Sequence, residues 1–294
     1  MSSIAATYIH DKMNVFLELS KFRITFFVAI SVGIGAVMFT GQLTPAILAP
    51  VIGVFLLACG SSALNHFQER DTDALMDRTK SRPIPAGKIS PENALIFAFL
   101  QIISGSLVLA FINETVLLLG FVTLVWYNAI YTPLKKKYAM AVVPGSIIGA
   151  IPPVIGWSAM GGSLTDPHIL ALAMFFFIWQ IPHFWLLLLL FGEDYDKAGF
   201  PTLTKLFSSI QLRRITFVWI AALGFSSLLI PLFDISASIV GISGVLLLSF
   251  WLVLSSKSIL SDSLDRVIYR KAFLSVNIYV LLVVSVLSVD KLLF

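Results

Sequence analysis

Asn65-His66-Phe67-Gln68-Glu69-Arg70-Asp71-Thr72-Asp73-Ala74-Leu75-Met76-Asp77-Arg78-Thr79-Lys80-Ser81-Arg82-Pro83 is a dense polar run that follows directly on an apolar stretch, 45–64, long enough to cross a bilayer. It holds four acids and four cations, and the acids are ordered. Asn65, Glu69, Asp73 and Asp77 recur every fourth residue. On a helix each such step turns the side chain by only about 40°, so the four share one face. Arg78, Lys80 and Arg82 follow at once. Carboxylates converging beside fixed cations suit a divalent metal that holds a polyanion such as diphosphate. The alternative is a solvated helix laced with ion pairs. Against it stand the Asn-x-x-x-Glu-x-x-x-Asp spacing, the Arg78/Arg82 pair, and the helix-ending Pro83-Ile84-Pro85-Ala86-Gly87.

Around this run the chain is apolar. Of 294 residues 58% are hydrophobic and 12% charged, with a mean hydropathy of +0.93. A soluble domain would carry roughly twice that charge. The composition therefore specifies an all-α, polytopic membrane bundle. Apolar spans fall near 22–41, 45–64, 93–112, 115–132, 141–160, 167–191, 215–233, 236–256 and 270–289, nine in all. Tight turns join some of them, at Gly41–Pro45, Asn113-Glu114 and Asp234-Ile235-Ser236. With the N-terminus cytoplasmic and the C-terminus outside, only Lys291 of the 20 Lys and Arg residues falls on the outer side. The net charge of +4 then reflects orientation and calls for no nucleic acid. The single Cys59 excludes an internal disulfide and reads as a packing residue. The first 20 residues lack the basic, cleavable pattern of a signal peptide and the arginines of a transit peptide, which favours a prokaryotic inner-membrane protein. One domain, 1–294, is expected, with active-site loops near 65–92 and 192–214.

Glu193, Asp194 and Asp196 form a second acid cluster after the sixth span, on the same side as the first. Two such clusters four helices apart suggest two halves bringing carboxylates to a shared mouth; a merely solvated loop is an equal reading for the second alone. Magnesium takes hard oxygen ligands and substrate phosphate oxygens, so Asn65, Glu69 and Asp73 suffice without His or Cys.

The Asn65/Glu69/Asp73 spacing followed by Met76-x-Arg78-Thr79-x-x-Arg82-Pro83 resembles the first acidic motif of the UbiA superfamily of intramembrane prenyltransferases. Tyr131-Thr132-Pro133-Leu134-Lys135, the run Gly149–Trp157, Trp179-Gln180-Ile181-Pro182-His183-Phe184, and Asp194-Tyr195-x-x-Ala198-Gly199 resemble its haem-farnesylating branch. The motifs cover about 20–205. The resemblance implies transfer of farnesyl from farnesyl diphosphate to a vinyl group of haem b, with addition of water, giving haem O. It implies that Asn65, Glu69 and Asp73 bind Mg2+ and diphosphate, and that Asp194, with Asp196 or Glu193, supplies a second metal site. Arg78, Lys80, Arg82, Tyr131 and Lys135 would face the diphosphate. Glu69 stands where the superfamily usually has Asp, and no acid lies four residues from Asp194 on either side, a departure typical of the branch. The implied partners are the two substrates, membrane lipid, and a downstream haem-modifying enzyme or terminal oxidase assembly.

His183 lies within an apolar span beside Pro182, which would kink the helix there. It is either a structural histidine bonded to a neighbouring helix or a haem contact; His66 is a second haem or diphosphate candidate, or a solvated residue. Two other functions stay open. A prenyltransferase for an aromatic acid or quinone precursor would share the diphosphate site but has no evident use for Trp179–Phe184. A secondary transporter would place its charges near the midplane, whereas here they gather at one face, and the helix count is odd with no inverted repeat.

Overall fold

A computed structural model describes residues 12–233, 238–261 and 266–294. His10 and the turn expected at Asp234-Ile235-Ser236 lie outside the described residues. Among those described, nine helices are long and apolar enough to span a membrane. They are α1 (Phe22–Thr40), α2 (Pro45–Asp73), α3 (Pro91–Ala110), α4 (Glu114–Leu134), α5 (Val142–Ala159), α6 (Pro167–Lys197), α7 (Ser209–Leu232), α8 (Ile239–Leu260) and α9 (Arg266–Leu293). No strand occurs among them. The chain is an all-α, multi-pass membrane bundle.

Local chemistry starts these helices where the sequence supplies a cap. Ser90, Asn113 and Asp166 each accept a hydrogen bond from a first-turn backbone N–H, and Pro91 and Pro167 open α3 and α6. Ser208 and Gln211 form a reciprocal capping box at α7. Two helices outrun the apolar spans. α2 continues past 64 to Asp73, and α6 continues past 191 to Lys197. At about 1.5 Å per residue, the 29 residues of α2 exceed the hydrocarbon thickness, so its polar end projects beyond it while staying helical.

Neighbouring helices pack in two groups, α1–α5 and α6–α9, joined where α5 meets α6 and where α9 meets α1. Of the two largest buried apolar clusters, one holds Val54, Leu57, Ile102 and Leu109, and the other holds Leu172, Phe175, Tyr279 and Val283. Large apolar side chains such as Phe99, Val218, Phe225 and Phe250 cover the outside, as a lipid-facing surface requires. α1 and α5 meet backbone to backbone. A Cβ added at Gly156 would sit 1.8 Å from the Val32 carbonyl oxygen, and one at Gly35 1.9 Å from that of Pro153. In lipid, where packing rather than water drives helix association, such small residues set the crossing.

Inside α6 the departure from helical dihedrals falls at Phe191 (φ −129°, ψ 20°), not at Pro182. Proline removes one backbone hydrogen bond, which α6 absorbs. The break at Phe191 instead re-aims the last turn, Gly192–Lys197, toward the loop after α2.

Gly156→Ala is expected to force α1 from α5 and to destabilise the fold by roughly 1–3 kcal/mol, the usual penalty of overpacking. Thermal unfolding in detergent reads this, and an unchanged midpoint would mean that the two helices part freely.

Candidate active site

The polar end of α2 is buried. Asn65 and Asp73 are fully inaccessible, and His66 and Glu69 nearly so. Each residue of the Asn65/Glu69/Asp73 face meets a cation from elsewhere in the chain. Lys21 Nζ donates to Asn65 Oδ1 at 2.8 Å. Lys135 Nζ lies 2.7 Å from Glu69 Oε1. Arg82 Nη1 donates to both oxygens of Asp73, at 2.8 and 2.7 Å. The three acidic-motif residues therefore converge as their spacing predicts.

Asp77 does not join them. α2 ends at Asp73, where Thr79 Oγ1 donates to the Asp73 carbonyl and turns the chain back. That reversal brings Arg82 onto Asp73 and leaves Asp77 outside, paired with Lys80 at 2.7 Å and with Lys197. Hydrogen bonds from Lys197 and Lys80 hold the Asp77 carboxyl down to about 2. Lys80 is thus placed in an exposed pair with Asp77, away from Asn65. Arg78 sends its backbone N–H to Asp194 Oδ2 at 3.1 Å, and its guanidinium lies over the rings of Phe191 (5.6 Å) and Tyr195 (6.0 Å). One loop therefore reaches the first acid cluster through Arg82 and the second through Arg78.

The second cluster is less convergent. Asp194 is largely buried, whereas Asp196 turns away to Lys205 and Thr202, and Glu193 is exposed beside Arg266. Asp77, Phe191, Asp194, Lys197 and Arg266 line a cleft of about 220 Å³ there.

α4 supplies the wall facing α2. Its segment Trp126–Tyr131 is π-helical, which rotates the following residues out of α-helical register. Buried Asn128 then exchanges hydrogen bonds with Ser61 and Gln68 on α2. Thr132 Oγ1 accepts from Asn65 Nδ2 at 3.1 Å and donates to the Tyr127 carbonyl. With its nitrogen held by Thr132, Asn65 presents its oxygen to the cluster. The Tyr127 and Tyr131 rings stack at 6.1 Å, and Lys135 Nζ lies 5.4 Å above the Tyr131 ring.

Lys21 is the residue the motif reading missed. It adopts φ 46° and ψ 49°, a left-handed conformation that a lysine holds only under constraint. Its Nζ also approaches Tyr127 OH at 3.4 Å. Burial, reinforced by Arg82 and Lys135, outweighs Glu69 and Asp73 and lowers its pKa to about 7. Lys135 goes the other way. Burial pulls it down, but the Glu69 carboxylate beside it raises it above the usual lysine value. The sequence signal for Lys21 is a cation standing at the mouth of α1.

The donors suit magnesium by type: an amide oxygen and two carboxylates. Glu69 Oε1 is buried, and its partner is Lys135 Nζ at 2.7 Å. Among the described residues no three His, Cys, Asp or Glu side chains form a metal-ligand group by themselves.

His66 is buried beside Asn65, with both ring nitrogens unpartnered among the described residues. His183 lies well away along α6 and bonds to Asn277 of α9, Nδ1 to Oδ1 at 2.8 Å.

The model of the UbiA prenyltransferase family matches residues 24–277. The chain belongs to the UbiA prenyltransferase family. It is 46% identical to the protoheme IX farnesyltransferase of Geobacter sulfurreducens over 189 residues, 63% of this chain and 68% of that one. It is 32% identical to the protoheme IX farnesyltransferase of Oleidesulfovibrio alaskensis over 276 residues, 94% and 95% of the two chains. Its UbiA fold matches a digeranylgeranylglyceryl phosphate synthase structure with a TM-score of 0.78 at 17% identity, covering 96% of this chain and 99% of that one. A UbiA homolog from Archaeoglobus fulgidus, bound to GPP and Mg2+, matches with a TM-score of 0.57 at 17% identity, covering 93% and 99%.

A lysine whose folded pKa sits near 7 instead of the free value near 10.4 binds fewer protons than the unfolded chain between those limits, so its penalty on folding is full below pH 7 and fades as pH rises. The uncharged Lys21→Met variant lacks this penalty. Its thermal midpoint should exceed that of wild type most at pH 6–7, and the gap should narrow toward pH 9.5. A pH-independent gap in a melting series would contradict the assignment.

Proposed function

We propose that this UbiA-family protein is a haem farnesyltransferase that moves the farnesyl group of farnesyl diphosphate onto a vinyl group of haem b. The observation that carries the prenyl-transfer part is the buried Asn65/Glu69/Asp73 face with Lys21, Arg82 and Lys135 fixed on its oxygens. The acceptor follows from the likeness to protoheme IX farnesyltransferases and from the Trp179–Phe184 stretch with its intramembrane histidine.

Asn65, Glu69 and Asp73 would hold magnesium, and Asp194 is the candidate from the second cluster, with Asp196 turned to Lys205. Magnesium, when bound, stabilises the charge that builds on the leaving diphosphate. The chain's own residues do the rest. Arg82 and Lys135, joined by Lys21 in its protonated form, bring up to three positive charges against two carboxylates, a surplus that suits a polyanion and is greatest in effect as the C1–O bond breaks. Tyr131 and Tyr127 present ring faces beside that surplus, where an allylic cation gains cation–π stabilisation. Arg78 and Lys80 stand further out, on the loop that closes over the site.

The electron pair of the C1–O bond leaves with diphosphate. The terminal vinyl carbon bonds to C1, and water adds to the cation left beside the porphyrin ring, losing a proton and giving the hydroxylated side chain of haem O. The charged face is the cytoplasmic one in this reading, with farnesyl diphosphate entering from that side, in the inner membrane of a prokaryote. Residues 1–294 act as one domain.

Purified protein with Mg2+, farnesyl diphosphate and haem b should yield a farnesylated haem by chromatography and mass spectrometry. Prenylation of an aromatic acid instead, with haem untouched, would overturn the acceptor. Asp73→Asn should lower turnover by at least about 100-fold, the scale of losing one transition-state contact, with expression retained. Near-normal turnover in that variant would remove Asp73 from the site.

A further inference from the structure

The hydrogen bonds around His183 settle which of its ring nitrogens carries the proton. Asn277 Nδ2 lies 2.6 Å from the carbonyl oxygen of Phe273, one turn earlier on α9. A carbonyl oxygen only accepts, so the amide nitrogen must face it, and Asn277 Oδ1 is left facing His183 Nδ1 at 2.8 Å. An amide oxygen also only accepts. Nδ1 is therefore the protonated nitrogen, and the lone pair of the neutral imidazole stands on Nε2.

Nε2 has no hydrogen-bond partner among the described residues. Its surroundings are aromatic: Trp179 at 5.4 Å, Phe184 at 5.2 Å and Phe273 at 4.9 Å, ring centre to ring centre. Trp179, one turn before His183 on α6, also carries a buried indole N–H without a partner. His183 lies 16 residues from Pro167 and 14 from Lys197, near the middle of α6. His183 is only partly buried, and an unmatched lone pair left open on a membrane-spanning helix is a candidate ligand contact. An imidazole nitrogen lone pair among flat rings fits the iron of a planar macrocycle.

We propose that Asn277 is a positioning residue that holds His183 as the Nδ1–H tautomer and presents Nε2 to the iron of haem b. This rests on the haem reading above and deepens it. Partner groups on the second nitrogen of a metal-bound histidine set both its orientation and its basicity. Asn277, an uncharged acceptor, orients the ring without making it anionic. The pair also ties α6 to α9, so the acceptor contact lies at the seam between those helices.

The test is a titration of the full chain in nanodiscs with haem b, read by absorption and by resonance Raman of the ferrous iron–imidazole stretch. Wild type should show that band. His183→Ala should lose it and regain it with added imidazole. Asn277→Asp puts a carboxylate on Nδ1–H, so it should raise the band's frequency and lower the reduction potential of the bound haem. Asn277→Leu should weaken haem binding about 10- to 100-fold while farnesyl diphosphate binding stays at the wild-type level. If wild type shows the band, His183→Ala abolishes it, and both Asn277 variants leave band, potential and affinity unchanged, the positioning role is wrong and the haem contact stands. If wild-type haem shows no histidine band, or His183→Ala keeps it, the contact itself fails and the proposal with it.

Discussion

A carboxylate with no access to water is tolerable only when fully paired, and Asp73 is one, set at the end of a helix that spans a membrane. Arg82 supplies the partner with both carboxylate oxygens engaged. Much of the charged face follows from that pairing. For Arg82 to reach back nine residues, α2 must stop at Asp73, and the chain must reverse through Met76 and Thr79. The reversal carries Arg78 to Asp194, so the loop that neutralises the first acid cluster also touches the second. A buried ion pair contributes little net stability; its consequence here is geometric, fixing where the charges lie.

The same constraint explains why the site has more cations than anions. Lys21 reaches Asn65, a neutral residue, rather than a carboxylate. Its charge is compensated only by carboxylates already committed to Arg82 and Lys135. Burial, reinforced by that surplus, lowers its pKa to about 7, and in the proposed reaction a group poised there would bind a polyanion without holding its proton firmly in its absence. The left-handed backbone at Lys21 is the strain that keeps the side chain aimed inward.

The residues show how much of this was legible in sequence. Nine apolar spans and the shared face of Asn65, Glu69 and Asp73 were readable, because both depend on local periodicity. Asp77 continues the same spacing, yet the helix ends before it, since the stop is set by the reach of Arg82 and Thr79 and no Gly or Pro announces it. Lys21 stands 44 positions from Asn65, so no motif spacing connects them. The π-helical turn at Trp126–Tyr131 has an unremarkable composition. It is accompanied by buried bonds from Asn128 to Ser61 and Gln68, which pair only after α2 and α4 meet. Pro182 marked a kink that appears instead at Phe191, where the last turn of α6 bends to meet the loop.

α6 is where the two ends of the proposed chemistry would meet. Its last turn carries Asp194, held by the loop after α2, and its middle carries His183, held by Asn277 of α9. Eleven residues separate the two, about 16 Å along a helix, with the break at Phe191 between them. The segment from His183 to Leu190 keeps helical dihedrals up to the break at Phe191. Beyond it, the last turn is free to take its direction from the loop. An acceptor bound at the α6–α9 seam and a diphosphate bound at the α2 end would therefore be registered on one helix, with the bend setting the angle between them.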